Sequence, residues 1–106
     1  MKIRKVLVTG GSGYLGRFIL QQLQTQYELA VFDRVPPETD NVTFISGDIT
    51  QPNEVKSACD GQDAVVHLVA LVRGRFEKPL TLFADVMVKG TWNVAQACAV
   101  CEVQRL

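Results

Sequence analysis

The most constraining feature of this 106-residue chain is a glycine-rich segment, TGGSGYLG at residues 9–16. It follows a short apolar run at residues 4–9, which predicts a buried strand. It precedes a helical pattern over residues 14–26. The apolar face of this helix is expected to be formed by Leu15, Phe18, Ile19 and Leu23. A glycine cluster between a buried strand and a helix predicts a tight strand–turn–helix unit.

The rest of the chain alternates between strands and helices. Further apolar runs predict strands at residues 29–32, 42–45 and 64–70. Helices are predicted at residues 52–60, where Pro52 suits the first turn, and at residues 80–103. Such alternation produces right-handed crossovers. We therefore expect residues 1–106 to form one α/β domain, a Rossmann-type doubly wound parallel sheet of about four strands in the order 3-2-1-4.

The glycine segment carries a phosphate-binding pattern. It fits G-x-x-G-x-x-G through Gly10, Gly13 and Gly16, and it also fits G-x-G-x-x-G when Gly11 is taken first. Glycines at these spacings permit the tight turn, the close approach of a pyrophosphate and close packing of helix on strand. The helix N-terminus would then present free N–H groups to the phosphates. The alternative is a structural turn that binds no ligand.

An acidic residue ends the second predicted strand about twenty residues after the glycines. Asp33 in that position can accept hydrogen bonds from both hydroxyls of an adenosine ribose. A carboxylate there repels a 2′-phosphate, which favours NAD over NADP. Arg34 beside it supports NADP as the alternative cofactor, because a guanidinium pairs well with a phosphate. The competing interpretation of Asp33 is a solvated strand end.

Composition excludes several other functions. The formal net charge is zero and the pI is about 6.5, so the chain has no electrostatic footprint for nucleic acid. Its longest N-terminal apolar run is too short for a secretion signal or a membrane span, and we expect a cytoplasmic protein without a membrane partner. A P-loop is excluded because no Gly-Lys-Ser/Thr follows the glycines. A methyltransferase of Rossmann type also pairs a glycine loop with an acid, and this evidence leaves it open.

Three cysteines, Cys59, Cys98 and Cys101, argue against a disulfide framework. Cys98 and Cys101 form a C-x-x-C that could serve as a redox or metal pair. The chain offers no second Cys or His pair to complete a zinc site. We therefore expect two small residues on one helix face and no metal ligand.

Four segments together resemble the N-terminal half of the extended short-chain dehydrogenase/reductases, the NAD-dependent sugar epimerase/dehydratase family. The segments are residues 8–16 (VTGGSGYLG), 47–50 (GDIT), 63–70 (DAVVHLVA) and 88–94 (VKGTWNV). They are similar to the family patterns V-T-G-G-x-G-[FY]-[IL]-G, G-D-[IL]-x, D-x-V-[IV]-H-L-A-A and N-V-x-G-T-x-N-[LV]. This combination is more specific than the glycine motif and argues against the methyltransferase.

The resemblance implies a role for several further residues. Asp48 would bind the adenine amino group and Ile49 would pack on its ring; the alternative for Asp48 is a cap on the helix that follows. The backbones of Tyr14 and Leu15 would bind the pyrophosphate, and residues 68–70 would line the cofactor rather than serve only as core. Motif and resemblance together give the expected cofactor-binding set Gly10, Gly13, Tyr14, Leu15, Gly16, Asp33, Arg34, Asp48, Ile49, Leu68, Val69 and Ala70.

Two departures from the family pattern concern catalysis. Met87 stands where family members usually carry an asparagine that helps order the active site. The family's catalytic Tyr-x-x-x-Lys pair is absent, since Tyr14 is followed four residues later by Phe18 and Tyr27 by Val31. We therefore expect no catalytic residue in this chain, and His67 is interpreted as a core histidine. The chain alone is expected to turn over no substrate.

These observations predict the dinucleotide-binding part of an NAD(P)-dependent nucleotide-sugar epimerase or dehydratase, or of a related dehydrogenase. In the full-length protein the substrate would be a sugar nucleotide or a similar alcohol. The alternatives are a hydroxysteroid-type dehydrogenase and a non-enzymatic cofactor-binding sensor or regulator. The chain ends about where the fifth strand of the family would start, which would leave the fourth strand as an open edge. We therefore expect self-association through the fourth strand or the last helix.

Overall fold

A computed structural model describes residues 2–70 and 80–106 and contains one four-stranded parallel sheet. Its strands are β1 (Lys5–Thr9), β2 (Glu28–Asp33), β3 (Thr43–Ser46) and β4 (Ala64–His67). Their order in the sheet is β3-β2-β1-β4, which confirms the predicted order. The sheet reverses its winding between β1 and β4, and in doubly wound folds ligands bind in the crevice at this point.

The helices lie at α1 (Tyr14–Leu23), α2 (Pro52–Cys59), α3 (Leu80–Phe83) and α4 (Gly90–Val100). A π-helical segment, Ala84–Lys89, joins α3 to α4. The first helix ends three residues earlier than predicted, because the backbone N–H groups of Gln26 and Tyr27 both turn back onto the Leu23 carbonyl. The last helix ends at Val100 rather than residue 103, because Glu102 adopts the left-handed conformation.

The two faces of the sheet carry different helices. Val6 and Val8 of β1 point to the face covered by α1, where they pack with Leu20. Leu7 points to the opposite face, which is covered by α2 and α4. Since successive side chains of a strand alternate between faces, β1 is apolar on both sides because it is buried on both.

The buried face of α1 differs from the predicted one. Gly16 and Leu20 are buried, whereas Leu15 is 56% exposed and Phe18 is 44% exposed. The reason is a backbone contact: a Cβ on Gly16 would lie 2.5 Å from the Gly11 carbonyl oxygen. The helix therefore rests on the glycine loop at Gly16, and this contact rotates the flanking apolar residues away from the core. Ile19 and Leu23, the other two residues of the predicted face, are half-buried.

The outer edge of β4 is partly paired. Arg105 forms an isolated parallel bridge with Ala64. The N–H of Gln104 donates to the Asp63 carbonyl and the N–H of Val65 donates to the Arg105 carbonyl, each at 2.9 Å. The expectation of a wholly open fourth-strand edge is therefore wrong, because residues 104–105 occupy its N-terminal end.

A Gly16→Ala substitution tests the contact that sets the rotation of α1. The added methyl group would overlap the Gly11 backbone, and overpacking of this kind costs about 1–3 kcal/mol of unfolding free energy. Gln22→Ala on the exposed side of the same helix is the control, because alanine there only raises helix propensity. Urea denaturation measures both. Equal stability of the two variants would contradict the backbone contact.

Candidate functional site

A cavity of about 210 Å³ opens beside the carboxyl ends of the strands. It is lined by Phe32, Asp33, Arg34, Gly47, Asp48, Ile49, Val69, Ala70 and Val86. Most of these belong to the predicted cofactor set, so the fold brings the ends of β2 and β4 together with the loop at residues 47–50. Three of the lining residues were not predicted. Phe32 and Gly47 are neighbours of predicted residues, and Val86 comes from the distant π-helical segment.

The first glycine of the loop is required by geometry. Gly10 has φ of +73°, and a Cβ there would lie 2.8 Å from the backbone nitrogen of Val69. Only glycine meets both conditions without strain. The Gly10 N–H donates to the Phe32 carbonyl at 2.9 Å, and Gly13 then forms the N-cap of α1. The loop therefore passes directly under the end of β4, and the strand end forms one wall of the crevice.

The Asp33 carboxylate connects β2 to the glycine loop. Its Oδ2 accepts a hydrogen bond from the Ser12 N–H at 3.1 Å, and its Oδ1 accepts one from the Arg34 N–H at 2.7 Å. The Ser12 hydroxyl donates to the Val35 carbonyl at 2.7 Å and adds a second tie between the same segments. A carboxylate offers about four acceptor positions. Two are used by partners in the described part of the chain, one on each oxygen, so each oxygen keeps acceptor capacity for a ligand hydroxyl.

The Asp48 carboxylate is fixed by a tight local turn. Its Oδ1 accepts hydrogen bonds from the N–H of Thr50 at 2.9 Å and from the Thr50 hydroxyl at 2.8 Å. The N-cap position of α2 is held by Gln51, so Asp48 does not cap that helix in the way the alternative interpretation requires. The Thr50 N–H bond is the main cause that lowers the pKa of Asp48. The carboxylate is therefore charged at neutral pH and is held at the cavity wall.

A second cavity of about 320 Å³ lies beside the glycine loop. It is lined by Gly11, Ser12, Gly13, Tyr14, Arg17, Val35, Pro36 and Glu38. The Arg17 guanidinium carbon lies 5.4 Å from the Tyr14 ring centroid and 5.0 Å from that of Phe18. The first N–H groups of α1, starting at Tyr14, have no acceptor within the helix. A positive guanidinium and a helix N-terminus therefore meet at this cavity.

Four predicted residues line neither cavity: Gly10, Leu15, Gly16 and Leu68. Gly10 and Gly16 make the close backbone contacts described above. Leu68 is half-buried and packs against the core cluster under α1. The Leu15 side chain points to solvent, which leaves only its backbone for a ligand. Leu68 therefore has the packing that its core-only interpretation requires, whereas Val69 and Ala70 line the first cavity.

His67 connects β1 to α4 through two threonines. Its Nδ1 lies 2.6 Å from the Thr9 hydroxyl and its Nε2 lies 3.2 Å from the Thr91 hydroxyl. The Thr91 hydroxyl already donates to the Met87 carbonyl at 2.6 Å. Nε2 must therefore carry a proton. In the neutral ring, Nδ1 then accepts from the Thr9 hydroxyl, and this pairing fits the interpretation of His67 as a structural histidine.

The titration of His67 predicts an acid-sensitive stability. Burial lowers the pKa of His67 below its usual 6.5, so the unfolded chain binds a proton more readily than the folded one. The contribution of His67 to the unfolding free energy should therefore have its full value above pH 6.5 and decrease as the pH falls below that value. In His67→Gln the fall between pH 7 and pH 5 should disappear, because the chain has no other histidine. Urea denaturation across this range measures both proteins, and parallel profiles would rule out the assignment.

The three cysteines come together between α2 and α4. Cys59 and Cys98 are buried and free, and Cys101 is half-buried with its Sγ 3.6 Å from the Lys56 carbonyl oxygen. Burial raises the pKa of Cys59 to about 12 and also raises that of Cys98. Among residues 2–70 and 80–106, no group of Cys, His and carboxylates has the arrangement of a metal site. Cys59 and Cys98 belong to the hydrophobic core and Cys101 packs against it. The contact of Cys98 with Cys59 was not apparent from the sequence.

The architecture and its switch-point crevice define a Rossmann-type α/β fold. Comparison with known proteins identifies its family. The model of the NAD dependent epimerase/dehydratase family matches residues 6–106, and the chain belongs to this family. Within the part of the chain that the structure describes, no helix has the length and apolar character needed to cross a membrane.

Individual relatives agree with this assignment. The human 3 beta-hydroxysteroid dehydrogenase type 7 is 42% identical over 106 residues, which cover 87% of this chain and 28% of that protein. The zebrafish (Danio rerio) short-chain dehydrogenase/reductase family 42E member 1 is 34% identical over 110 residues, 99% of this chain and 28% of that protein. The crystal structure of the Bordetella bronchiseptica enzyme WbmG in complex with NAD superimposes with a TM-score of 0.82 at 26% identity, covering 99% of this chain and 36% of that one. The chain thus spans about a third or less of the length of these relatives.

Proposed function

We propose that this chain binds NAD and forms the cofactor-binding part of an NAD-dependent dehydrogenase or epimerase. The observation that carries the proposal is the Asp33 carboxylate, which lies at the cavity and is bonded to the N–H of Ser12 in the glycine loop. This arrangement joins a ribose acceptor to a phosphate-binding loop. Family membership supports the same cofactor.

In this proposal the adenine occupies the cavity between the loop at residues 47–50 and the end of β4. Asp48 accepts a hydrogen bond from the adenine amino group, while Ile49 and Val69 provide apolar contact to the ring. The Asp33 carboxylate binds the ribose hydroxyls. The pyrophosphate lies at the N-terminus of α1, where the N–H groups of residues 14–16 have no acceptor within the helix.

The proposed cofactor is NAD rather than NADP. Asp33 carries a negative charge where the 2′-phosphate of NADP would lie. Arg34 also lines the cavity and would partly offset this repulsion. Asp33 dominates because its carboxylate is already oriented by two backbone N–H groups.

The proposed activity of the whole protein is oxidation or reduction of an alcohol by hydride exchange with the nicotinamide. Two substrate classes are supported by different relatives. Solved structures that resemble the fold include a complex of the enzyme MoeE5 with UDP-glucose and NAD, which supports a nucleotide sugar. The sequence identity of 42% with a 3 beta-hydroxysteroid dehydrogenase is higher than the sequence identity with MoeE5, and it favours a hydroxysteroid. Coupled assays of the full-length protein with both substrate classes discriminate between them.

The first functional test is titration calorimetry of the chain with NAD⁺ and NADP⁺. We expect NAD⁺ to bind, and Asp33→Ala to weaken it about tenfold or more, because hydrogen bonds to a charged group contribute about 1.5–3 kcal/mol. The same substitution should reduce the preference for NAD⁺ over NADP⁺, since it removes the repulsion of the 2′-phosphate.

Asp60→Ala is the matched control for this titration. Asp60 is an exposed carboxylate at the end of α2, and it lines neither the cavity nor the glycine loop. The Asp60→Ala variant should bind NAD⁺ with the same affinity as the unmodified chain. Equal affinities of the Asp33 and Asp60 variants would remove the proposed role of Asp33, and a folded chain that binds neither nucleotide would refute the proposed function.

We also propose that the chain self-associates through α4. Val88 is 71% exposed and Trp92 is 65% exposed one turn later. Ala95 and Ala99 continue the same side of the helix and are exposed too. This apolar stripe is a better candidate than the edge of β4, which residues 104–105 partly occupy. Large exposed apolar surfaces of this kind mark interaction sites.

Sedimentation equilibrium over a range of concentrations tests the self-association. The unmodified chain should dimerise, and Trp92→Glu should shift it to monomer because the charge would be buried without a partner. Gln22→Glu on the exposed side of α1 is the control and should leave the association unchanged. A chain that remains monomeric at the highest concentration would exclude this interface.

A further inference from the structure

One side of the π-helical segment and α4 packs against the loop that carries Asp48. Val86, in the π-helical segment, lines the same cavity as Asp48 and Ile49. One turn later Gly90 is buried, and a Cβ there would lie 3.0 Å from Cγ2 of Ile49. One further turn along, Asn93 reaches the backbone of the same residue. Spacings of four and three residues place these positions on one side of the helix.

Asn93 is the polar member of this contact. It is only 4% exposed, and its Nδ2 donates a hydrogen bond to the Ile49 carbonyl oxygen at 3.0 Å. The carbonyl lies in an irregular loop between β3 and α2, where no strand pairing can satisfy it. A buried carbonyl without a donor is costly, so this bond determines where the loop backbone can lie.

The backbone position of Ile49 controls the direction of the Asp48 carboxylate. The peptide whose oxygen Asn93 holds also contains the Thr50 nitrogen, and that N–H donates to Asp48 Oδ1. One rigid peptide plane is therefore fixed at its oxygen by the helix, and it orients Asp48 through its N–H. Among the described residues both bonds to Asp48 fall on Oδ1, and Oδ2 remains for a ligand.

We propose that Asn93 is a positioning residue for the adenine site, acting through the peptide between Ile49 and Thr50 on the carboxylate of Asp48. This inference rests on the proposed binding of adenine by Asp48. Asn93 does not line the cavity proposed for the adenine. It makes recognition of the base depend on the helix that follows β4, although the base lies against the loop that follows β3.

The test compares NAD⁺ with nicotinamide hypoxanthine dinucleotide, whose base carries an oxygen in place of the amino group. Titration calorimetry should show that the unmodified chain prefers NAD⁺ by about tenfold or more, because a site built for a donor rejects a ligand that lacks it. In Asn93→Leu this ratio should fall toward one. Loss of stability alone would not change the ratio, because both ligands need the same folded chain.

Two further variants keep the test decisive. Asn93→Ser is a milder change whose shorter side chain cannot reach the Ile49 carbonyl, and it should lower the ratio in the same way. Cys98→Ala removes a buried atom from the same helix beside Cys59, away from the loop, and should keep the ratio of the unmodified chain.

The outcomes separate the two levels of the proposal. A clear preference for NAD⁺ that both Asn93 variants retain would overturn the role of Asn93 while leaving Asp48 in place. No preference in the unmodified chain, despite binding of NAD⁺, would remove the proposed role of Asp48 and this inference with it. A lowered ratio in Cys98→Ala would show that any disturbance of the helix suffices, which also contradicts a specific role for Asn93.

Discussion

The structure depends on backbone-to-backbone contact at the glycine loop. The chain leaves β1 at Thr9 and turns at Gly10, directly beside the backbone that follows β4. At Gly16, α1 then packs against the backbone of Gly11. Neither approach leaves room for a Cβ. Both contacts are between main-chain atoms, so they fix the distance of α1 from the ends of β1 and β4 whatever the surrounding side chains. The crevice at the switch point is a consequence of this distance.

Two carboxylates then complete the crevice in different ways. Asp33 is bonded to backbone N–H groups on both sides, so it stabilises the glycine loop as well as facing the cavity. Asp48 is bonded within its own turn to Thr50, and its position relative to β4 comes from the helix that packs behind it. Asp33 is therefore tied to the glycine loop, whereas Asp48 is connected through the peptide of Ile49 to a helix.

Much of the fold was predictable because local patterns and chain topology agree. Alternating apolar runs and helical segments, with right-handed crossovers, were enough for the order 3-2-1-4. The buried face of α1 was not predictable from spacing, because the contact of Gly16 with Gly11 sets its rotation. Val86 at the cavity and Cys59 beside Cys98 are contacts between residues distant in sequence, for which one sequence carries no periodic signal.

Polar side chains connect the helix after β4 to elements beside the site, although residues 90–100 do not line the cavity. The carbonyl groups of an irregular loop have no β-sheet hydrogen bonds, so a buried carbonyl needs a hydrogen-bond donor from a neighbouring element. Asn93 donates such a hydrogen bond to the Ile49 carbonyl. Thr91 of the same helix is hydrogen-bonded to His67 at the end of β4. One bond runs from this helix to the loop that carries Asp48, and the other runs to the last residue of β4. The helix therefore connects these two segments, and in the proposed site its sequence would influence binding without contact between its side chains and the ligand.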